Sequence, residues 1–420
     1  MTPEDVPHAT DAALQDSASD SAVDANNPPA PDVPVVMDVA VSGPTWHGQI
    51  APLVAQHCAE CHSAGGVAPF VLNSYADAFA RHRAMANSVT ARTMPPFMPG
   101  GTCQEFRDDR RLTDSEIALI REWSASGAPE GTPAPPPPVR GAPQLEWVDQ
   151  VLDIGGDFMP RGVDGPLDQW WCFAMDPQLT ESRVLVGYEF LPTVRGQVHH
   201  AGIVEAPTAA ARAVDDAEPG LGWRCSGNVG VGSGRVVGSW AGGFGAVKYP
   251  AGTGLRLNPG QSLAVQIHYR LAPDGSAQLD RTRLRLQYAR APVPHETEYF
   301  GLGVQTVTIP ARTMGFSDNY TVTMPTTSVI RAAQPHMHGL GRSIRVELVQ
   351  GERRTCILNI PQWNYHWEEM HFYRDDSIVV PAGSTLALHC VWDNPNNHSV
   401  VGGLTFEDEM CDVALLTTPM

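Results

Sequence analysis

The sequence predicts a mostly-β chain, with a small helical unit ahead of a large region of stacked antiparallel sheets. Three observations predict it. Apolar and polar residues alternate in SLAVQIHYRL (262–271), in SIRVELV (343–349) and in STLALHCVW after the Pro381-Ala382-Gly383 turn, which is the period of half-buried strands. The stretch TDSEIALIREW (113–123) has a different period: Thr113 is placed as an N-cap, Glu116 completes a capping box, and Ile117, Ile120 and Trp123 fall on or near one helical face. Between the two regions lies GTPAPPPPVRG (131–141), whose consecutive prolines hold the backbone extended and mark a linker. Upstream, NSYADAFARHRAMANSVTAR (73–92) carries Ala and apolar residues at helical spacing and predicts one further helix. Alternating strands bury their apolar faces best in two stacked antiparallel sheets.

At 420 residues the chain is long enough for two or three domains, and no window approaches eighteen uninterrupted apolar residues, so no transmembrane segment is expected. A formal charge of -18 disfavours a polyphosphate backbone as ligand, so nucleic acid is not an expected partner. Residues 1–45 hold eight acidic residues and no Lys or Arg, too polar to repay ordering, and read as a disordered acidic tether. They lack the basic and apolar regions of a signal peptide. The eight cysteines suggest two tasks, a close pair at Cys58 and Cys61 and six spread from Cys103 to Cys411. That usage suits an oxidising compartment, so the expected location is periplasmic or secreted, with a removed N-terminal signal and a membrane tether through it as assumptions.

HCAECH at 57–62 is a Cys-x-x-Cys-His motif, the attachment signature of haem c, in which Cys58 and Cys61 form thioethers and His62 reaches the iron. A redox dithiol and half of a zinc site are the competing readings, and the zinc site lacks a second cysteine pair. For a sixth iron ligand, RTMPPFMPG (92–100) offers Met94 and Met98 beside stiffening prolines, with Met94 preferred because Pro95 and Pro96 follow it. Both methionines are equally compatible with plain packing, and His82 is a further alternative. Residues 46–130 as a whole resemble a short class I c-type cytochrome of the kind fused to secreted bacterial enzymes. That resemblance implies an all-α haem domain that passes single electrons.

The large region holds two histidine groups. His199 and His200 in VHHAGI are adjacent, which puts them on opposite sides of an ideal strand unless the backbone bends. His268 lies on the polar side of a strand whose Val265, Ile267 and Tyr269 point the other way. Three imidazoles from these places make a nitrogen-only site suited to copper. In QPHMHG (334–339), His336 and His338 are two apart and face the same way on a strand. Met410 stands in FEDEMCD (406–412), among acids too polar for a core strand. Two imidazoles and a thioether suit Cu(I), whereas two imidazoles with Glu407 or Glu409 suit zinc, and spacing leaves both open.

Taken in order, QVHH (197–200), QIHYR (266–270), HMHGLG (336–341), WNYHWEEMHF (363–372) and DEMC (408–411) resemble the copper type II, ascorbate-dependent monooxygenases, the family of peptidylglycine hydroxylating and dopamine beta-monooxygenases. The resemblance covers about 150–420. It implies two tandem jelly-roll-like antiparallel β-sandwich domains, over 142–287 and 288–420, behind the cytochrome c-like domain of 46–130 and the linker of 131–141. It implies an electron-storing copper on His199, His200 and His268, and an oxygen-activating copper on His336, His338 and Met410. Gln266 matches a residue placed near the substrate and the electron route. The implied cofactors are thus two copper ions and one covalent haem. Dioxygen, a small organic substrate and an external donor, either an ascorbate-like reductant or a periplasmic redox protein, are the implied partners. The same likeness implies Cys390–Cys411 and Cys172–Cys225 disulfides and leaves Cys103 and Cys356 unassigned. His366, His371 and His389 read as packing or supporting residues.

The chain departs from the peptide-amidating members where they hold a substrate carboxylate, with Gln334, Asp412 and Ala414 in place of Arg, Asn and Tyr. Without the cation, and with Asp412 repelling, a carboxylate substrate loses its partner. Two readings of different class follow. One is a copper monooxygenase hydroxylating a C–H bond of a small organic molecule, and the other is a non-catalytic secreted copper and haem electron-transfer protein.

Overall fold

The computed structural model describes residues 43–420 apart from 102, 161–166, 226–227, 233, 243–244, 273, 305, 375–377, 404 and 406. The tether expected over 1–45 falls almost entirely outside the described residues.

Two β-sandwiches follow one another in the large region, so the mostly-β, jelly-roll-like expectation is what the chain adopts. In the first, a five-stranded sheet runs in the order Trp223–Arg224, Asp168–Met175, Gln261–Arg270, Val198–Pro207, Arg235–Ala241. It stacks on a second sheet built around Arg183–Leu191, Arg283–Tyr288 and Thr253–Leu257, and Phe173, Leu185, Phe190, Val265 and Ile267 fill the space between. The second sandwich pairs a sheet of Glu298–Val304, Cys411–Pro419, Ser328–His336 and His371–Phe372 with one of Thr313–Thr323, Thr385–Asn394, Gly341–Gln350 and Arg353–Ile360. Strand Thr385–Asn394 alternates half-buried and buried at every position, as its sequence period demands. Strand Gln261–Arg270 departs from that rule: eight of its ten positions from Ser262 to Tyr269 include only Gln266 as half-buried, because the outer face is covered as well. The supposedly polar side of His268 is therefore interior, and His268 is 0% exposed.

The helical unit holds Trp46–Ile50, Ala51–His57, Tyr75–Phe79, His82–Thr90 and Asp114–Ala125. The capping box of Thr113 and Glu116 forms as expected, an end contribution of ~1 kcal/mol, and Ile117, Ile120 and Trp123 are buried against Trp46, Val54 and Leu72. The single helix expected over 73–92 is instead two, Tyr75–Phe79 capped by Ser74 and His82–Thr90, with Ala80 and Arg81 turning between them. The Cys-x-x-Cys-His motif begins where helix Ala51–His57 ends and continues as a turn, with Cys61 and His62 donating backbone N–H to the Cys58 carbonyl at 3.2 and 2.9 Å.

All three parts meet on the segment 363–374. Ala332, Phe372 and Leu416 of the second sandwich enter the core of the first. Arg107 donates to the carbonyl of Lys248 in one sandwich and, through its backbone, to that of Phe372 in the other. Disulfide Cys103–Cys356 joins the stretch after the helices to strand Arg353–Ile360, resolving the two cysteines that the sequence leaves unassigned. Disulfides Cys172–Cys225 and Cys390–Cys411 pair as the resemblance implied.

Candidate metal centre

Adjacent histidines on a regular strand diverge, and here a bulge brings them back. The pairing of Val198–Pro207 with Gln261–Arg270 runs Val198 to Tyr269 and then His200 to His268, so His199 is the extra residue and its side chain is turned toward those of its neighbours. His199 Nδ1 lies 3.2 Å from His268 Nδ1, which lies 3.4 Å from His200 Nδ1. The three donor atoms are all within 4.8 Å of one another. Burial drives His199 down to about 3 and His200 well below its ordinary value, with the neighbouring rings adding to both shifts, so these two rings are neutral and offer lone pairs. His268 stacks on Trp170 at 4.1 Å and presents Nε2 to Asp168 at 3.0 Å, a hydrogen bond that holds the carboxylate below its usual range. Converging imidazoles with a carboxylate behind one of them fit a copper or similar borderline ion.

His336 ends strand Ser328–His336, and His338 follows beyond it, with Met337 between them turned into the core at 0% exposure. The two rings stand 5.0 Å apart. His338 donates Nδ1–H to the Asp408 carbonyl at 2.8 Å. Burial pulls His336 down, but Glu368, 2.9 Å from its Nδ1, outweighs this and lifts the ring to about 9. His336 Nε2 is buried without a hydrogen-bond partner. Both rings line a cavity of about 260 Å³ together with His200 and Gln266 of the first sandwich and Gln334, Glu368, Asp412 and Ala414 of the second. The positions that depart from the amidating pattern therefore face the same space as the histidines. Met410 is 5% exposed and sits before strand Cys411–Pro419, outside the lining of that cavity.

The acidic stretch around Met410 is solvated at Glu407 but not at Glu409. Glu409 is 1% exposed and accepts from the Leu340 N–H at 2.6 Å, the His338 N–H at 3.1 Å and Trp392 Nε1 at 3.1 Å. It braces the His338 turn, a role that leaves it ill suited to the zinc-ligand alternative. Burial pushes its carboxyl up to about 7 against those hydrogen bonds.

A second, larger cavity of about 680 Å³ lies against the helical unit, with Cys58, Cys61, His62, Met85 and Met94 on its wall and Glu369, Met370, His371 and Phe372 opposite. Met94 and Met98 separate here: Met98 belongs to the core of the second sandwich, where its Sδ accepts from the Asn364 N–H at 3.3 Å. His82 is occupied by Ser124 Oγ at 2.9 Å. Cys58 and Cys61 stand outside the disulfides. Burial pushes Cys58 up to about 12 and raises Cys61, so both are held as protonated thiols, poor as nucleophiles and as metal ligands. The expected complement of two copper ions and one covalent haem is corrected by what the described residues bring together. Among the described residues, one group of three His, Cys, Asp or Glu donors converges, His199, His200 and His268.

Two supporting residues escape sequence reasoning. Asp168 is 100 positions from His268, and only the pairing of their strands brings them together. His366 reads as packing, yet its Nδ1 lies 3.1 Å from His199 Nε2.

The fold and this site define a mostly-β, disulfide-linked protein with a three-histidine metal-binding type of centre. Residues 305–416 match the family described as copper type II ascorbate-dependent monooxygenase, C-terminal domain, so a domain of that kind forms most of the second sandwich. No curated protein matches the chain. Among solved structures, the STIV MCP overlaps 64% of this chain and 97% of its own at 7% identity with a TM-score of 0.30. The major capsid protein P2 from bacteriophage PM2 gives the same coverages and identity at 0.26. Allantoicase gives 12% identity over 56% of this chain and 81% of its own at 0.17. Overlaps this shallow have no bearing on function. No helix among the described residues is long and apolar enough to cross a membrane.

Proposed function

We propose that the chain is a copper-dependent monooxygenase that hydroxylates a C–H bond of a small neutral or cationic organic molecule. The observation that carries this reading is the shared cavity: His200, a member of the three-histidine group, lines the same space as His336, His338 and Gln266. Copper held by His199, His200 and His268 would supply one-electron chemistry with dioxygen. One oxygen atom enters the product and the other leaves as water, which requires two electrons and two protons from outside, the electrons from an ascorbate-like reductant or a periplasmic redox protein.

The chain's own residues have separate parts in this reading. Gln266, held at one end by the Asn228 carbonyl 3.3 Å away, and His336, with its unpartnered Nε2, orient the substrate. His338 stands beside them, fixed by the Asp408 carbonyl and the Glu409 brace, while buried Met410 and the Cys390–Cys411 disulfide hold that brace from behind. Glu368 and Asp412 are the acidic groups on the cavity wall, and no Lys or Arg is among its described lining residues, so an anionic substrate is disfavoured. The large cavity with Cys58, Cys61, His62 and Met94 on its wall is read as a second binding site, for a bulky and mainly apolar ligand.

The test is oxygen uptake and product analysis on copper-loaded full chain with ascorbate and a panel of small amines, alcohols and carboxylates. Dioxygen-dependent hydroxylation of a neutral or cationic member is expected. Oxygen consumption with no hydroxylated product would favour the electron-transfer reading, and a preference for carboxylates would refute the substrate class.

A further inference from the structure

His366 belongs to the second sandwich, in the short turn Tyr365–Trp367, but its ring reaches the three-histidine group of the first. Its Nδ1 lies 3.1 Å from His199 Nε2, with the rings edge to face at 4.7 Å. His199 Nδ1, by contrast, is the atom that faces His268. His366 therefore sits on the far side of His199 from the point where the Nδ1 atoms converge, a place for a supporting group and not for a fourth ligand. The turn itself is anchored at both ends. Asn364 Oδ1 accepts from the His366 N–H at 3.0 Å, and Glu368 two residues on is the partner of His336 at 2.9 Å. Arg270, next but one to His268 on its strand, places its Nη1 3.4 Å from His366 Nδ1 and 3.3 Å from His366 Nε2, and so packs against the same ring.

Resting on the copper reading above, we propose that His366 is a positioning residue contributed across the domain boundary, which accepts a hydrogen bond from His199 and so ties the copper site to the seating of the second sandwich. With Nδ1 given to the metal, His199 carries its proton on Nε2 and donates it to the lone pair of His366 Nδ1. This fixes the His199 tautomer and ring orientation and makes it a stronger donor, as Asp168 does for His268. A stronger donor favours Cu(II) over Cu(I), so the contact lowers the reduction potential. The same turn carries Glu368 to His336, so a displacement of the second sandwich is felt at both histidine groups together.

The test compares the full chain with His366→Phe, which removes the acceptor, and His366→Gln, which retains one. Each is titrated with Cu(II) and followed by electron paramagnetic resonance and by redox titration. His366→Phe should bind copper about 10- to 100-fold more weakly, with a raised potential, His366→Gln should recover most of the loss, and the nitrogen hyperfine pattern should keep its ligand number throughout. Unchanged affinity and potential in His366→Phe would overturn the proposal, as would the loss of one nitrogen from the spectrum, which would make His366 a ligand. If the unaltered chain takes up no copper, or if His268→Ala leaves copper uptake intact, it is the copper reading that fails, and the proposal falls with it.

Discussion

The ring centroids of His199, His200 and His268 are 4.7 to 5.4 Å apart, and Asp168 is the carboxylate that faces them. Protonating one ring beside the others is costly in a buried site, whereas a cation shared among their lone pairs is not. Asp168 works through the outer nitrogen of His268, so Asp168→Ala should weaken copper binding about 10- to 100-fold while leaving the ligands in place. Titration with a competing copper chelator measures it, and an unchanged affinity would remove Asp168 from the site. At this scale the sequence shows the residue types but not their partners. The three histidines are legible as copper-type donors, yet the spacing of His199 and His200 argues against their convergence, and the answer lies in a bulge that no residue type announces. Glu409 misleads in the other direction, since its acidic neighbours suggest solvent while it is buried as a brace.

The segment 363–372 is the element through which the parts of the molecule communicate. Trp363 Nε1 donates to the His338 carbonyl at 3.2 Å, His366 meets His199, Glu368 meets His336, and Glu369 meets Arg110 of the helical region at 2.6 Å. Burial pushes the Glu369 carboxyl up to about 7 from an ordinary 4.5, against the pull of Arg110. Between those values the folded chain keeps a proton that the unfolded chain has released. The resulting contribution to stability is fully present below about 4.5 and is lost as pH rises through about 7. Thermal unfolding of the unaltered chain and of Glu369→Gln should therefore diverge, the unaltered chain losing stability relative to the variant from about pH 5 to about pH 8. Parallel curves would mean that Glu369 is ionised throughout. The aromatic alternation of this segment reads in the sequence as strand and packing. Its polar members, His366, Glu368 and Glu369, each pair with a different part of the chain, and pairing over such distances has no local signal. Strands such as Thr385–Asn394, whose period is set by one buried face, are legible without any partner.

In the whole molecule, the two sandwiches enclose the 260 Å³ cavity with histidines from each, while Cys103–Cys356 fastens the helical region to the second sandwich. The mostly-β class follows from alternation and turn residues, whereas the tandem sandwiches are legible only through the family resemblance. The cofactor complement does not follow, because a Cys-x-x-Cys-His spacing and an H-x-H pair state which atoms are near in sequence and not how burial sets their protonation or which neighbours converge. The central claim is that His199, His200 and His268 hold copper. The most direct measurement is copper content per chain, with the Cu(II) paramagnetic resonance spectrum, on loaded full chain and on His268→Ala. The expected result is one copper fewer in the variant and the loss of a nitrogen-rich signal that the unaltered chain shows. Equal copper content with identical spectra would contradict the assignment and return the three histidines to a structural role.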